Sequence, residues 1–140
     1  MSVRRIYVEK KKGFQIEAQE LYEDLKTNLG VKGLMSVRVL NRYDIEGMNA
    51  EEYARARDVV FCEPPVDRLY EEKFPVPPGQ RLFATEYLPG QYDQRADSAA
   101  QCVQILTRRE KPVIRVARVI VLNGNMTEDQ FREIREYCIN

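Results

Sequence analysis

Two periodicities alternate along this chain and predict strand and helix in turn. From Val3 to Glu9 the pattern has period two, with Val3, Arg5, Tyr7 and Glu9 on one side and Arg4, Ile6 and Val8 on the other, which predicts a strand. Ala18, Leu21, Leu25 and Leu29 then fall on one face of a helix that Gly30 closes. Ser36 to Ile45 is rich in β-branched residues and ends near Gly47, so it reads as a long strand. Asn49-Ala50-Glu51-Glu52 has the form of a capping box, in which cap and fourth residue satisfy each other's amides, and Tyr53, Ala56 and Val60 continue as an apolar stripe.

The same plan recurs about 78 residues further on. Arg81 to Leu88 takes the place of the first strand, and Ala96, Ala99, Val103 and Leu106 form the next helical stripe. Val113 to Leu122 is a second long strand followed by Gly124, then Thr127-Glu128-Asp129-Gln130 repeats the capping box and Phe131, Ile134 and Cys138 repeat the stripe. The expected fold is therefore α+β: duplicated ferredoxin-like β-α-β-β-α-β units, 1–74 and 79–140, packed as a pseudo-dimer with a largely antiparallel sheet. Any chain of alternating strands and helices can be slid onto itself, so few identities leave plain alternation as the competing explanation. Five of the seven prolines lie between Glu63 and Gly79, predicting a stiff linker over 63–79, with Val66, Leu69 and Tyr70 as a further short strand. The second unit has no counterpart to that strand before Asn140, so the chain is expected to be a piece of a longer polypeptide; a native terminus soon after a helix is the alternative.

Composition narrows the chemistry. Lysine plus arginine and aspartate plus glutamate number 22 each, so the chain lacks the cationic surplus of a polyanion binder, and nucleic acid is not an expected partner. No apolar run approaches the roughly 20 residues of a membrane span, and no signal-peptide core opens the chain, so no membrane partner and a cytoplasmic location are expected. Cys62, Cys102 and Cys138 are too far apart for a zinc cluster and odd in number, which predicts buried reduced thiols. There is no histidine, no Walker loop and no GxGxxG. Without imidazole the common nucleophile pairs are absent, and no catalytic residue, metal site or cofactor is assigned.

The densest specific polarity lies in Glu86 to Leu106, EYLPGQYDQRADSAAQCVQIL. Pro89-Gly90 ends the strand and turns the chain toward a helix, placing Gln91, Asp93, Gln94, Arg95, Asp97 and Ser98 at the helix start. An ordinary cap accounts for the same residues, with Asp93 or Asp97 closing the helix and Arg95 solvated. A docking or anion-positioning surface is the other reading, with Arg95 as the bidentate anchor. Arg42, Tyr43 and Asp44 form a weaker candidate group, for which a solvated strand end is an equal account.

The run YLPGQYDQRADSAAQC, with the opening VRRIYVEKKKGFQIEAQELYEDL and the segment VRVLNRYDIEG, resembles the N-terminal domain of the long single-chain phosphoribosylformylglycinamidine synthases, and the likeness covers essentially all 140 residues. The resemblance implies a non-catalytic assembly domain of a purine-biosynthetic ligase that converts formylglycinamide ribonucleotide to the amidine with ATP, Mg2+ and glutamine. Its implied partners are the synthetase and glutaminase domains of the same polypeptide, and its implied task is to hold them together and help enclose the ammonia path. A fused pair of units is expected to be a monomer when isolated. Tandem ferredoxin-like domains that sense small ligands are the alternative, which duplication suits equally well.

Overall fold

A computed structural model describes residues 3–139. The order is β1 (Arg4–Lys10), α1 (Ile16–Thr27), β2 (Leu34–Glu46), α2 (Ala50–Ala56) continuing into a π turn (Arg57–Phe61), β3 (Asp67–Glu71), β4 (Arg81–Glu86), α3 (Gln94–Thr107), β5 (Val113–Gly124) and α4 (Glu128–Ile139). The five strands make one antiparallel sheet in the order β3-β1-β2-β5-β4. The fold is thus α+β, with four helices.

Both capping boxes form. Asn49 Oδ1 accepts from the Glu52 amide at 2.8 Å while the Asn49 amide donates to Glu52 Oε1 at 3.0 Å. The Thr127 hydroxyl accepts from the Gln130 amide at 3.1 Å, and the Thr127 amide donates to Gln130 Oε1 at 2.9 Å. Each box satisfies amides that a helix start leaves without partners.

The longest ladder joins β2 to β5, from Glu46 opposite Val113 to Leu34 opposite Gly124. It binds the first 74 residues to the last 60 or so through the middle of the sheet rather than through a surface contact. In the outer pairs Arg4 faces Ile45 and Arg81 faces Leu122, so both members move by the same 77 positions (81 less 4, 122 less 45).

Register decides the faces, because directly opposed residues point the same way. Ile6, Tyr43 and Val116 share one row, and Val39, Ile120 and Phe83 another. These rows carry all four helices. Ile6, Val8, Tyr43, Ile45 and Ile114 pack with Tyr53, Ala56 and Phe61 of the α2 region and with Ala96, Ala99, Ala100 and Val103 of α3. Leu34, Ile120 and Leu122 pack with Leu25 of α1 and Ile134 of α4. The opposite face is covered by chain rather than helix. Leu40, Val119 and Val121 are buried there beneath Phe74 and Val76, so the proline-rich connector lies on the sheet, and residues 67–71 within it form the expected short strand. On this face Arg5 also makes a two-point pair with Asp44, at 2.7 and 3.0 Å.

Three local expectations shift. β4 ends at Glu86, leaving Tyr87 and Leu88 exposed beyond it. The π turn adds a residue to the last turn of the α2 region, so Phe61 takes the buried place expected of Val60 and meets Tyr43 edge-on at 5.2 Å. Cys62 is buried and Cys138 half-buried, but Cys102 is exposed, because Ala99 and Val103 of α3 occupy its core face.

Candidate functional site

Two helix pairs stand on the sheet, α1 beside α4 and α3 beside α2, and the strip between them carries polar residues where an apolar row is the norm. Asn41 and Arg118 face each other across the β2–β5 seam on the helix side. The Glu17 carboxylate of α1 approaches Arg118, with Oε2 2.7 Å from Nε. That Nε is buried and its N–H is not aligned on the carboxylate, so the pair is held by charge rather than by a directed hydrogen bond.

Open clefts flank this strip. The larger, about 1130 Å³, is bounded by β4 and the turn after it, the start of α3, the end of α4 and the seam residues Asn41, Tyr43 and Arg118. The smaller, about 410 Å³, is bounded by β1, the start of α1, Phe61 and Asp67, and again reaches Asn41, Tyr43 and Arg95. The strand positions of the smaller cleft recur in the larger after the ladder's shift: Val8 and Asn41 of one correspond to Thr85 and Arg118 of the other. The helix starts correspond likewise, with Glu17 and Arg95 both in first turns and of opposite charge.

The structure gathers most of the main candidate group and splits the weaker one. Gln91, Asp93, Gln94, Arg95 and Ser98 all line the larger cleft. Gln91 shapes the turn, its Oε1 accepting from the Leu88 amide at 2.7 Å. Asp93 is the N-cap and accepts from the Ala96 amide at 3.1 Å, so the cap reading holds for this residue. Asp97 points elsewhere, accepting from the Tyr92 hydroxyl at 3.2 Å and the Gln101 amide group at 2.8 Å.

Arg95 stands exposed at the rim, beside Tyr43. Partial desolvation by the neighbouring cleft wall works against its charge, but the Tyr43 hydroxyl and the carboxylates of Glu17 and Asp93 hold its pKa above the ordinary arginine value, so it is a permanent cation. Tyr43 therefore belongs to the site. Arg42 and Asp44, one residue to either side, lie on the opposite face of β2, where Arg42 sits 3.7 Å from Glu86 and Asp44 pairs with Arg5.

Glu17, Asn41 and Arg118 belong to the site and were not singled out from the sequence. A signal was present, since Asn41 and Arg118 interrupt the apolar parity of VRVLNRY and VARVIVL. On the cleft side Glu17 and Asp93 stand against Arg95 and Arg118, the Glu86 side chain lying with Arg42 on the other face, and exposed Tyr87, Leu88 and Ile139 surround the opening. Paired charges bordered by exposed apolar groups can meet both polar and apolar parts of another molecule's surface.

Among the described residues no helix is long and apolar enough to cross a membrane, and no group of three or more acidic or thiol side chains is placed to hold a metal. No protein-family model matches the chain, and no curated protein or solved structure matches it.

Proposed function

We propose that this chain is the assembly domain of a phosphoribosylformylglycinamidine synthase, built from two ferredoxin-like copies, and that its larger cleft receives the synthetase and glutaminase modules. The observation that carries the reading is the convergence of Gln91, Asp93, Gln94, Arg95 and Ser98, from the run that resembles this family, on one charge-balanced cleft. Support for the duplicated copies comes from the ladder shift of 77 (81 less 4), from the two capping boxes and from the matched places of Glu17 and Arg95. ATP and Mg2+ belong to the synthetase module, and this domain's own groups orient and exclude water rather than transfer bonds. Arg95 is the anchor, because a guanidinium at a cleft rim pairs with a carboxylate at two points.

The test is Arg95→Ala in the whole synthase, assayed with glutamine and with free ammonia. Loss of glutamine-dependent amidine formation by about tenfold or more, with ammonia-dependent formation retained, is the expected outcome for a lost hot-spot contact. Unchanged glutamine-dependent turnover and unchanged association of the modules would overturn the assignment.

A second reading is favoured by the paired clefts themselves, which flank the seam at corresponding places as ligand sites do in tandem sensing domains. Thermal shift of the 140-residue chain with amino acids and nucleotides separates the two, since a bound ligand raises the midpoint by mass action.

A further inference from the structure

On the face of the sheet opposite the larger cleft, one pocket concentrates positive charge in a chain whose net charge is zero. It has a volume of about 330 Å³ and gathers Lys10, Lys11, Lys12, Arg38 and Arg68 against the single carboxylate of Glu9. Pro75 and Pro77 form part of its wall and Tyr70 supplies its one aromatic ring.

Two of the five cations are already engaged. Lys10 Nζ lies 2.9 Å from buried Asp67, and Arg38 makes two 2.8 Å hydrogen bonds to Glu9 and a third to the Pro75 carbonyl. Lys11, Lys12 and Arg68 have no carboxylate within ion-pair reach among the described residues. The engaged pairs have the effect of fixing the wall that the free cations stand on.

The turn that carries the lysines is fixed as well. The Lys11 amide donates to the Val66 carbonyl at 2.8 Å, extending the β1–β3 ladder by one bond, and the Phe14 amide donates to the Lys11 carbonyl at 3.0 Å. Gly13, at φ +94°, supplies the left-handed third position that a type II turn requires. Lys11, Lys12 and Arg68 are therefore held near one another by backbone, against their mutual repulsion.

We propose that this pocket binds a small polyphosphate, an anion of two or more linked phosphates. Three unpaired cations around one open pocket match several charges on one compact ligand. With 22 basic residues matched by 22 acidic ones, the chain lacks the cationic surplus that a nucleic-acid binder requires. This inference does not rest on the assembly role of the larger cleft.

The experiment is titration of the 15N-labelled 140-residue chain with inorganic triphosphate at fixed ionic strength. Saturable binding is expected, with a Kd on the order of 0.1 mM, and with shifted amides at Lys11, Lys12 and Gly13 and at Val66 to Arg68. Lys11→Ala, Lys12→Ala and Arg68→Ala should each weaken binding about fivefold, orthophosphate should bind at least about tenfold more weakly, and Lys32→Ala, outside the pocket, should change nothing. Non-saturable shifts, or equal weakening by Lys32→Ala, would overturn the proposal. Tighter binding of a hexaglutamate peptide than of triphosphate would replace it with an acidic protein partner. The unaltered chain carries the first of these outcomes, so the test does not depend on any variant folding.

Discussion

Ile120 lies at the centre of β5, fully buried, opposite Val39 on one side and Phe83 on the other. Ile120→Ala removes three carbons from a site walled by α1, α4 and two strands. Transfer alone costs roughly 2 kcal/mol at about 0.8 kcal/mol per methylene, and the cavity that strands on both sides cannot close brings the total to about 4 kcal/mol. That is a large part of the roughly 5–15 kcal/mol that stabilises a domain, and corresponds to a fall in Tm on the order of 15 °C. Because the β2–β5 ladder joins the two halves, the loss should be felt equally on both sides of the seam. Urea unfolding by circular dichroism should remain a single transition, and amide exchange at Val8 and at Val103 should report the same lost free energy. Ile105→Ala, at a position 77% exposed, should change stability by less than about 0.5 kcal/mol. A cost below about 1 kcal/mol for Ile120→Ala, or exchange that changes in one half alone, would refute the claim that the seam is the shared core.

Acid and backbone geometry give two further tests. The hydrogen bonds from Arg5 hold the Asp44 carboxyl below its usual range against desolvation, so its contribution to stability is complete above the unfolded value of about 3.9 and is lost as pH falls through the lower folded value. The stability gap between the native chain and Asp44→Asn should therefore narrow below about pH 4 in urea titrations, and a constant gap would contradict the pairing. Gly124 has φ +142°, and a Cβ there would lie 2.3 Å from the Gly33 carbonyl oxygen, so Gly124→Ala must force apart the end of the β2–β5 ladder. A loss of about 2 kcal/mol or more in urea unfolding is expected, and a neutral variant would contradict the backbone contact.

Most of the local structure was legible because it depends on neighbours in sequence. The alternation of Arg4 to Val8, the caps at Asn49 and Thr127 and the stripe of Ala96, Ala99 and Val103 are short-range signals, and each formed as spacing predicts. Phe61 in place of Val60 was not legible, because an α-helical period carries no mark of the π turn that displaces it. The pairing of β2 with β5 depends on contacts some 80 residues apart, which periodicity does not encode. Of the site, the turn and first residues of α3 were legible from their polarity. Arg118 was marked only by its break in apolar parity, and its meeting with Glu17 at 2.7 Å was not legible, because that exists only once α1 is laid over the seam.

The central claim is that these residues bring other modules together and perform no bond-making of their own. Its most direct test is reconstitution: the purified chain is mixed with synthetase and glutaminase modules prepared without it, and amidine formation from formylglycinamide ribonucleotide is followed with ATP, Mg2+ and glutamine. The account predicts no product from the chain alone, little glutamine-dependent product from the modules alone, and recovery on mixing that Arg95→Ala diminishes. Product from the chain alone, or full glutamine-dependent turnover without it, would contradict the account.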